Sequence, residues 1–323
     1  MPSAIRVHEA GGPEKLIWEE VEVGAPGPGE VRLKHTAIGV NFIDIYQRTG
    51  FYKLPTPYIL GSEGAGVIEA VGDGVTDLKV GDRVAYAGAI GGYSEARLIP
   101  AGRVVKLPAG VSDEQGAAMM LQGMTVQYLI RRTHVVKPGE TILIHAAAGG
   151  VGLILCQWAK HLGATVIGTV STKEKALQAK AAGCDHPLVT TDTDWVAAVK
   201  AINNGKGLPV VYDSVGRDTF MKSLDCLAPL GLMVSFGQAS GAVPPIDIGI
   251  LSTKGSLFLT RPTLGSYIGT TEELRATAND LFDVVSKGVV KINVNHRWAL
   301  KDAADAHRAL EARQTTGSIV LVP

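Results

Sequence analysis

Thr141–Gly152 reads TILIHAAAGGVG and runs on into LILCQWAKHLG (153–163). A short run of strand character meets a cluster of small residues, and the apolar period then becomes helical. A turn built this way brings backbone N–H groups within reach of a pyrophosphate and aims a helix N-terminus at it. Ala146, Gly149 and Gly152 form an A-x-x-G-x-x-G pattern, a relative of G-x-G-x-x-G. Gly149 would allow close backbone approach to phosphate, and Gly152 close packing of helix on strand. Small residues also serve plain helix–sheet packing, so context decides, and here the pattern follows a strand and precedes a helix.

From this turn onward strands and helices alternate. ATVIGTV (164–170), LPVVYD (208–213), LMVSF (232–236) and SLFLT (256–260) read as buried strands, with helices to about Leu162 and over Thr172–Ala182. That alternation predicts an α/β fold with a parallel, doubly wound sheet. Upstream, VRLKHTAI (31–38), GVIEAV (66–71), DRVAYA (82–87) and RVVKL (103–107) sit between turns such as Pro26-Gly27-Pro28-Gly29 and Gly72-Asp73-Gly74, a β-rich domain. Ser112 and Gln115 have capping-box spacing before a helix running towards Ile130, and Thr270 and Glu273 repeat the device. A helix near Lys301–Arg313 and a last strand, SIVLV, close the chain. This tail is short for a domain and is expected to return to the β-rich one.

A length of 323 residues suggests two domains. Zero formal net charge and the absence of long like-charge runs argue against nucleic acid as the main partner. Cys156, Cys184 and Cys226 form no CxxC pair, which fits reduced thiols in a cytoplasmic protein rather than a zinc ribbon or redox dithiol. The opening MPSAIRVHEAGGPEK lacks the apolar core of a signal peptide. Thr141–Ala159 is apolar, but three glycines and His145 interrupt it, so a buried strand–turn–helix is expected rather than a membrane span.

Past the second strand an NAD enzyme usually carries Asp or Glu to hold the ribose hydroxyls. This chain has Ser171, Thr172, Lys173, Glu174 and Lys175. Hydroxyls and lysines suit the extra phosphate of NADPH. The same residues also make an ordinary Ser/Thr cap followed by solvated lysines.

With these motifs together the chain resembles the zinc-independent quinone oxidoreductases, the zeta-crystallin-like group of the medium-chain dehydrogenase/reductase superfamily. The resemblance spans the whole chain: AIGVNFIDIYQRTGFY (37–52), LGSEGAGVIEAVG (60–72), VGDRVAY (80–86), LQGMTVQYL (121–129), HAAAGGVG (145–152), VVYDSVG (210–216), LMVSFG (232–237), LTRPTL (259–264) and the terminal TTGSIVLVP. It implies a GroES-like catalytic domain from both chain ends (1–122 and 263–323) and a Rossmann domain between them (123–262). It further implies a cleft for NADPH, a quinone substrate, and commonly a homodimer. Zinc-dependent relatives place a cysteine where this chain has Asn41 and a Gly-His-Glu motif where it has Gly61-Ser62-Glu63, and neither Asn nor Ser is a usual zinc ligand. No metal site is expected.

By matching position the resemblance implies cofactor contacts from Phe42, Ile43, Asp44, Tyr46, Tyr128, Gly149, Gly150, Val151, Ser171, Thr172, Lys175, Val215, Phe236, Gly237, Gln238, Pro262, Thr263, Leu264 and Arg313. Several relatives place a tyrosine near the end of the third strand, where this chain has Thr190. A quinone is already electrophilic, so a site that reduces it needs orientation more than a strong acid. Asn41, Tyr46 and Tyr52 are the candidates for orienting its carbonyl oxygens; each tyrosine equally suits a wall residue that only shapes the pocket. Glu63 reads as a structural ion-pair member, Asp213 as strand-end packing, and His145 as a satisfied buried histidine. An α,β-unsaturated carbonyl such as a 2-alkenal would also accept hydride without metal. A nucleotide-binding structural or RNA-binding protein is the reading from another class, since the family contains lens crystallins.

Overall fold

The computed structural model describes residues 1–323 throughout. Its strands are β1 (Ser3–Val7), β2 (Ile17–Glu20), β3 (Glu30–Val40), β4 (Tyr58–Ile59), β5 (Glu63–Val71), β6 (Arg83–Ala87), β7 (Ala96–Pro100), β8 (Val105–Lys106), β9 (Thr141–Ile144), β10 (Thr165–Val170), β11 (His186–Val189), β12 (Leu208–Asp213), β13 (Leu227–Ser235), β14 (Phe258–Thr260), β15 (Val294–Ala299) and β16 (Ser318–Val322). Helices are α1 (Phe42–Arg48), α2 (Asp113–Tyr128), α3 (Gly150–His161), α4 (Lys173–Ala181), α5 (Trp195–Ile202), α6 (Phe220–Leu224), α7 (Gly249–Thr253), α8 (Leu264–Tyr267), α9 (Thr271–Ser286) and α10 (Ala303–Glu311). The chain forms two compact units, the first from Met1–Met124, Ile268–Ser286 and Ile292–Pro323, the second from Thr125–Tyr267 and Lys287–Lys291.

The first unit is built on a sheet of order β15-β16-β3-β5-β6-β8, with β7 also paired to β3 and a smaller sheet β2-β1-β4. Along β3 alternate side chains turn inward, and Val31 and Leu33 pack with Ile68, Val84, Tyr86 and Ile99. The C-terminal strand β16 pairs antiparallel with β3, Ile319 opposite Val40 and Leu321 opposite Ile38. The antiparallel register of β3 with β5 sets Ile38 opposite Gly64, so the residue after β3, Asn41, and the first residue of β5, Glu63, lie at the same end of the sheet.

The second unit holds a six-stranded parallel sheet of order β11-β10-β9-β12-β13-β14. The strand order reverses between β9 and β12, and ligands of such sheets bind outside the carboxyl ends of the strands at that point. Leu143, Ile167 and Val211 from the sheet pack with Trp195, Val199, Phe220 and Leu224 from α5 and α6. This is the doubly wound arrangement read from the alternating pattern.

Both capping boxes are present. Ser112 and Gln115 exchange N–H bonds at 3.0 and 3.1 Å before α2, and Thr270 and Glu273 do so at 3.2 and 3.1 Å before α9. Two strands are shorter than expected. Ala101–Arg103 winds into a 3-10 turn, so the strand predicted over 103–107 shrinks to Val105–Lys106. Ser256 takes φ +54°, which no strand accepts, so the strand predicted from 256 begins at Phe258. The tempting apolar stretch is a strand, a turn and a helix, and no helix is long and apolar enough to cross a membrane.

Candidate functional site

In the second unit the chain leaves β9 and turns at Ala146, whose φ of +54° lies in the left-handed region. Gly149, in extended conformation, is the N-cap of α3. The N–H groups of Gly150 and Val151 open the helix, where no intrahelical carbonyl precedes them to accept. They form a positive end suited to a phosphate. A side chain at Gly152 would put its Cβ 2.3 Å from the Ala146 carbonyl oxygen and 2.7 Å from Ala147 Cα, so only glycine lets α3 sit this close to the turn. At Gly149 a Cβ would meet only the Ala146 oxygen, at 3.3 Å. The two glycines thus do different work, one in packing and one in leaving the helix end bare.

The other second-unit candidates lie just past carboxyl ends of strands of the same sheet. Ser171 and Thr172 follow β10, Val215 follows β12, Phe236, Gly237 and Gln238 follow β13, and Pro262, Thr263 and Leu264 follow β14. Thr172 is the N-cap of α4, its hydroxyl oxygen accepting from the Lys175 N–H at 3.2 Å. No carboxylate occupies position 171, although Glu174 stands in the first turn of α4. Thr190 directly follows β11 and donates to the Val170 carbonyl at 3.3 Å. Tyr128 stands apart on α2, buried and stacked on Tyr267 with centroids 4.2 Å apart; burial, and then Tyr267, push its hydroxyl pKa up.

Below the turn, His145 is fully satisfied, meeting Thr169 Oγ1 and Ser223 Oγ at 2.8 Å each. Burial holds its pKa down, so it is a neutral core histidine. Asp213 accepts from the N–H groups of Val215 and Gly216 at 2.7 and 3.0 Å and from the Thr219 hydroxyl. It fixes the backbone after β12, which is the strand-end role read from sequence.

In the first unit, α1 carries Phe42, Ile43, Asp44 and Tyr46, and Asn41 is its N-cap. Tyr46 meets Tyr52 edge-on with centroids 5.5 Å apart, and Phe51 joins at 5.8 Å from Tyr46 and 5.2 Å from Tyr52. Phe42 lies 6.0 Å from Tyr46. Phe51 is 50% exposed and Tyr52 38%, so this aromatic cluster presents ring surface to solvent. Sequence reasoning passed over Phe51, which its place beside Tyr52 could have signalled.

Asn41 is buried and turns its amide inward. Its Nδ2 donates to Glu63 Oε2 at 2.7 Å, and its Oδ1 accepts from Gln122 at 3.1 Å. One amide hydrogen therefore remains for another acceptor. Glu63 accepts at Oε1 from the Leu121 N–H at 2.8 Å. No cation pairs with it, which corrects the expectation of an ion pair. Burial pushes its pKa up to about 8, against the pull of its hydrogen-bond donors. Gln122 also accepts from Ser318 at 2.9 Å, so the cluster draws on the N-cap of α1, β5, α2 and β16. Gln122 escaped the sequence reading because nothing local marks it. No group of three or more His, Cys, Asp or Glu side chains is placed to hold a metal.

Arg313 lies just past α10 with φ +58°, a position where glycine is usual and arginine is strained.

Residues 150–283 match the family model described as zinc-binding dehydrogenase, and residues 27–109 that of the alcohol dehydrogenase GroES-like domain. The chain is 53% identical to a quinone oxidoreductase of Pseudomonas aeruginosa, covering 100% of both. It is 49% identical to a 2-haloacrylate reductase of a Burkholderia species, covering 100% of this chain and 99% of that one. The crystal structure of Escherichia coli quinone oxidoreductase complexed with NADPH superposes with a TM-score of 0.98 at 50% identity, covering 99% of this chain and 100% of that one.

Proposed function

The chain belongs to the quinone oxidoreductases of the medium-chain dehydrogenase/reductase superfamily, the zeta-crystallin-like group, and on that premise we propose that it is an NADPH:quinone oxidoreductase working without a metal. The observation that carries this reading is the bare N-terminus of α3 at Gly149–Val151, backed against the turn by a residue that can only be glycine. NADPH, when bound, supplies the hydride. Gly150 and Val151 N–H groups hold its pyrophosphate, and Ser171, Thr172 and Lys175 recognise the additional phosphate. Val215, Phe236–Gln238 and Pro262–Leu264 line the same strand ends, and the resemblance adds Phe42, Ile43 and Tyr128 as nucleotide contacts; Asp44 is not one, because its side chain is fully buried and turned to Tyr93. Arg313 supplies a further positive charge to the phosphates. Functionally the nucleotide-binding domain is 123–262, and 1–122 with 263–323 form the catalytic domain.

Tyr46 and Tyr52 offer ring surface and hydroxyl donors to a flat acceptor, and the remaining hydrogen of the Asn41 amide can donate to a carbonyl oxygen. Orienting the acceptor suffices, because reduction of a quinone places charge on oxygens that water can protonate. The three cysteines are unbridged and buried, which suits a reducing cytoplasm. Strand β14 is an edge with Phe258 60% exposed, and Leu230 of the neighbouring β13 is 67% exposed, which suits a second copy pairing along that edge as a homodimer. Light scattering reads the oligomer directly.

Turnover of NADPH with 1,2-naphthoquinone, 1,4-benzoquinone, a 2-alkenal and 2-chloroacrylate tests the activity. Quinones are expected to be preferred. Full-length similarity to a 2-haloacrylate reductase favours enone or acrylate reduction as the second reading, and a clear preference for those acceptors would replace the first. Nucleotide binding without turnover of any acceptor would point instead to a structural role.

A further inference from the structure

Helix α1 has seven residues, too few to hold its own shape or direction in water. Asp44 and Arg48 lie one turn apart on one face of it. They are joined through two residues from elsewhere in the first unit. Asp44 Oδ2 accepts from the Asn41 N–H at 2.8 Å and from the Tyr93 hydroxyl at 3.0 Å. The Tyr93 hydroxyl lies 3.0 Å from His307 Nε2, and Arg48 Nη1 lies 3.1 Å from His307 Nδ1. Arg48 also donates to Glu311 at 3.0 and 2.7 Å and to the Gly11 carbonyl at 3.1 Å.

The direction of donation is fixed. A guanidinium has no acceptor, so Arg48 donates and His307 Nδ1 accepts. The remaining ring hydrogen is then on Nε2 and points at the Tyr93 oxygen, which leaves the Tyr93 O–H for Asp44. His307 stays neutral, because burial and Arg48 hold its pKa down to about 3. Asp44, Arg48, Tyr93 and His307 are each at most 1% exposed. Hydrogen bonds this dry cannot be exchanged for water without opening the unit.

Phe42 and Tyr46 stand two residues before and after Asp44. Two residues turn a helix by about 200°, so both project from the face opposite the buried ring. Rotating α1 by even one residue's step would carry Tyr46 away from Tyr52 and Phe51. We propose that the Arg48–His307–Tyr93–Asp44 ring is a rotational lock on α1, which makes Tyr93 and His307 positioning residues for the reductase reaction. They touch neither acceptor nor nucleotide; they hold the azimuth at which Tyr46 and Phe42 face outward. The functional half of this inference rests on the reading of Tyr46 as an acceptor contact, whereas the lock itself does not.

Three variants test it. Tyr93→Phe removes one hydroxyl, His307→Leu removes both ring nitrogens, and His307→Gln keeps one donor and one acceptor at similar separation. Hydrogen–deuterium exchange on the whole chain without ligands reads the lock. Amides of Phe42–Thr49 are expected to exchange at least tenfold faster in Tyr93→Phe and His307→Leu, with His307→Gln near wild type and the second-unit sheet unchanged. In steady-state assays with 1,2-naphthoquinone, kcat is expected to fall about tenfold in the first two variants and to recover in the third, with KM for NADPH changing less than kcat. Unchanged exchange over α1 in Tyr93→Phe overturns the lock, as does a His307→Leu protein indistinguishable from His307→Gln. If α1 loosens while kcat is unaffected, the positioning role fails. A wild-type protein that reduces no quinone, yet shows the exchange pattern, refutes the functional reading and keeps the lock.

Discussion

Replacing Gly152 and Gly149 by alanine, one at a time, should separate two tasks that adjacent turns of one motif combine. At Gly152 the new methyl would lie 2.3 Å from the Ala146 carbonyl oxygen and 2.7 Å from two backbone carbons of Ala147. Backbone cannot swing aside as a side chain can, so α3 must lift off the turn. Overpacking of this kind costs about 1–3 kcal/mol, and contacts this short belong at the upper end, about 3 kcal/mol. At Gly149 the one contact is 3.3 Å, and the backbone, φ −77° and ψ 172°, is open to any residue. Alanine caps a helix less well than glycine, by about 0.5–1 kcal/mol, and restricting the unfolded chain returns a similar amount. The fold should therefore tolerate Gly149→Ala to within about 0.5 kcal/mol. If a pyrophosphate sits on this helix end, the same methyl stands in its way, and NADPH affinity should drop about tenfold or more. Urea unfolding and a fluorescence titration with NADPH, run on both variants, give the four numbers needed. A Gly149→Ala protein that binds NADPH as tightly as wild type would show that the phosphate is not held there. A Gly152→Ala protein of unaltered stability would refute the packing argument.

Other outcomes follow from the same geometry. Arg313→Gly relieves a left-handed backbone at the end of α10 and should stabilise the protein by about 0.5–1 kcal/mol while weakening NADPH binding; a variant less stable than wild type, or with unchanged affinity, contradicts this. Burial raises Asp44 to about 7 and Glu63 to about 8, so the folded state holds these protons better than the unfolded chain; their contribution to stability is complete below the unfolded values, about 4, and is lost as pH rises from there to the folded ones. His35 and His307, lowered to about 3 by burial, act oppositely: their contribution is complete above the unfolded value and is lost as pH falls from about 6.5 toward 3. Between pH 7 and pH 5 each of the four is worth about 2 kcal/mol, so the opposing pairs nearly cancel in the wild type. Glu63→Gln removes one of the two carboxyl contributions and should lose about 2 kcal/mol more than wild type from pH 7 to pH 5 in urea melts at the two pH values. Parallel pH dependences would sink this account. Chelators should leave quinone turnover unchanged, and loss that zinc restores would contradict a metal-free reaction.

What the sequence displays well is what it stores locally. The turn at Ala146–Gly152 is readable because strand, small residues and helix are consecutive, and the capping boxes because three residues suffice. Strands β3, β5, β6, β9, β10, β12 and β16 follow from hydrophobic runs between turns, whereas the sequence reading passes over β1, β2, β4, β7 and β15. Helix α1 is not readable this way: it buries Asp44 and Arg48 along with Ile45, so its inward face carries charges and apolar periodicity points away from it. The same holds for Glu63, whose partners Asn41 and Leu121 are 22 and 58 residues distant. Arg48 meets His307 across 259 residues. Such pairs exist only once β16 and α10 have come back to β3 and α1, and no window along the chain contains both members. Charged residues inside a unit are therefore where the sequence reading and the folded chain part company, and both the corrected role of Glu63 and the ring around His307 lie there.

On this reading the carboxyl edge of the second-unit sheet holds NADPH. Titrating the purified chain with NADPH and, in parallel, with NADH while following nucleotide fluorescence tests it most directly. The expected result is saturable binding of both, markedly tighter for NADPH and weakened by Gly149→Ala. No change in nucleotide fluorescence up to millimolar protein, or equal affinity for the two nucleotides, would contradict it.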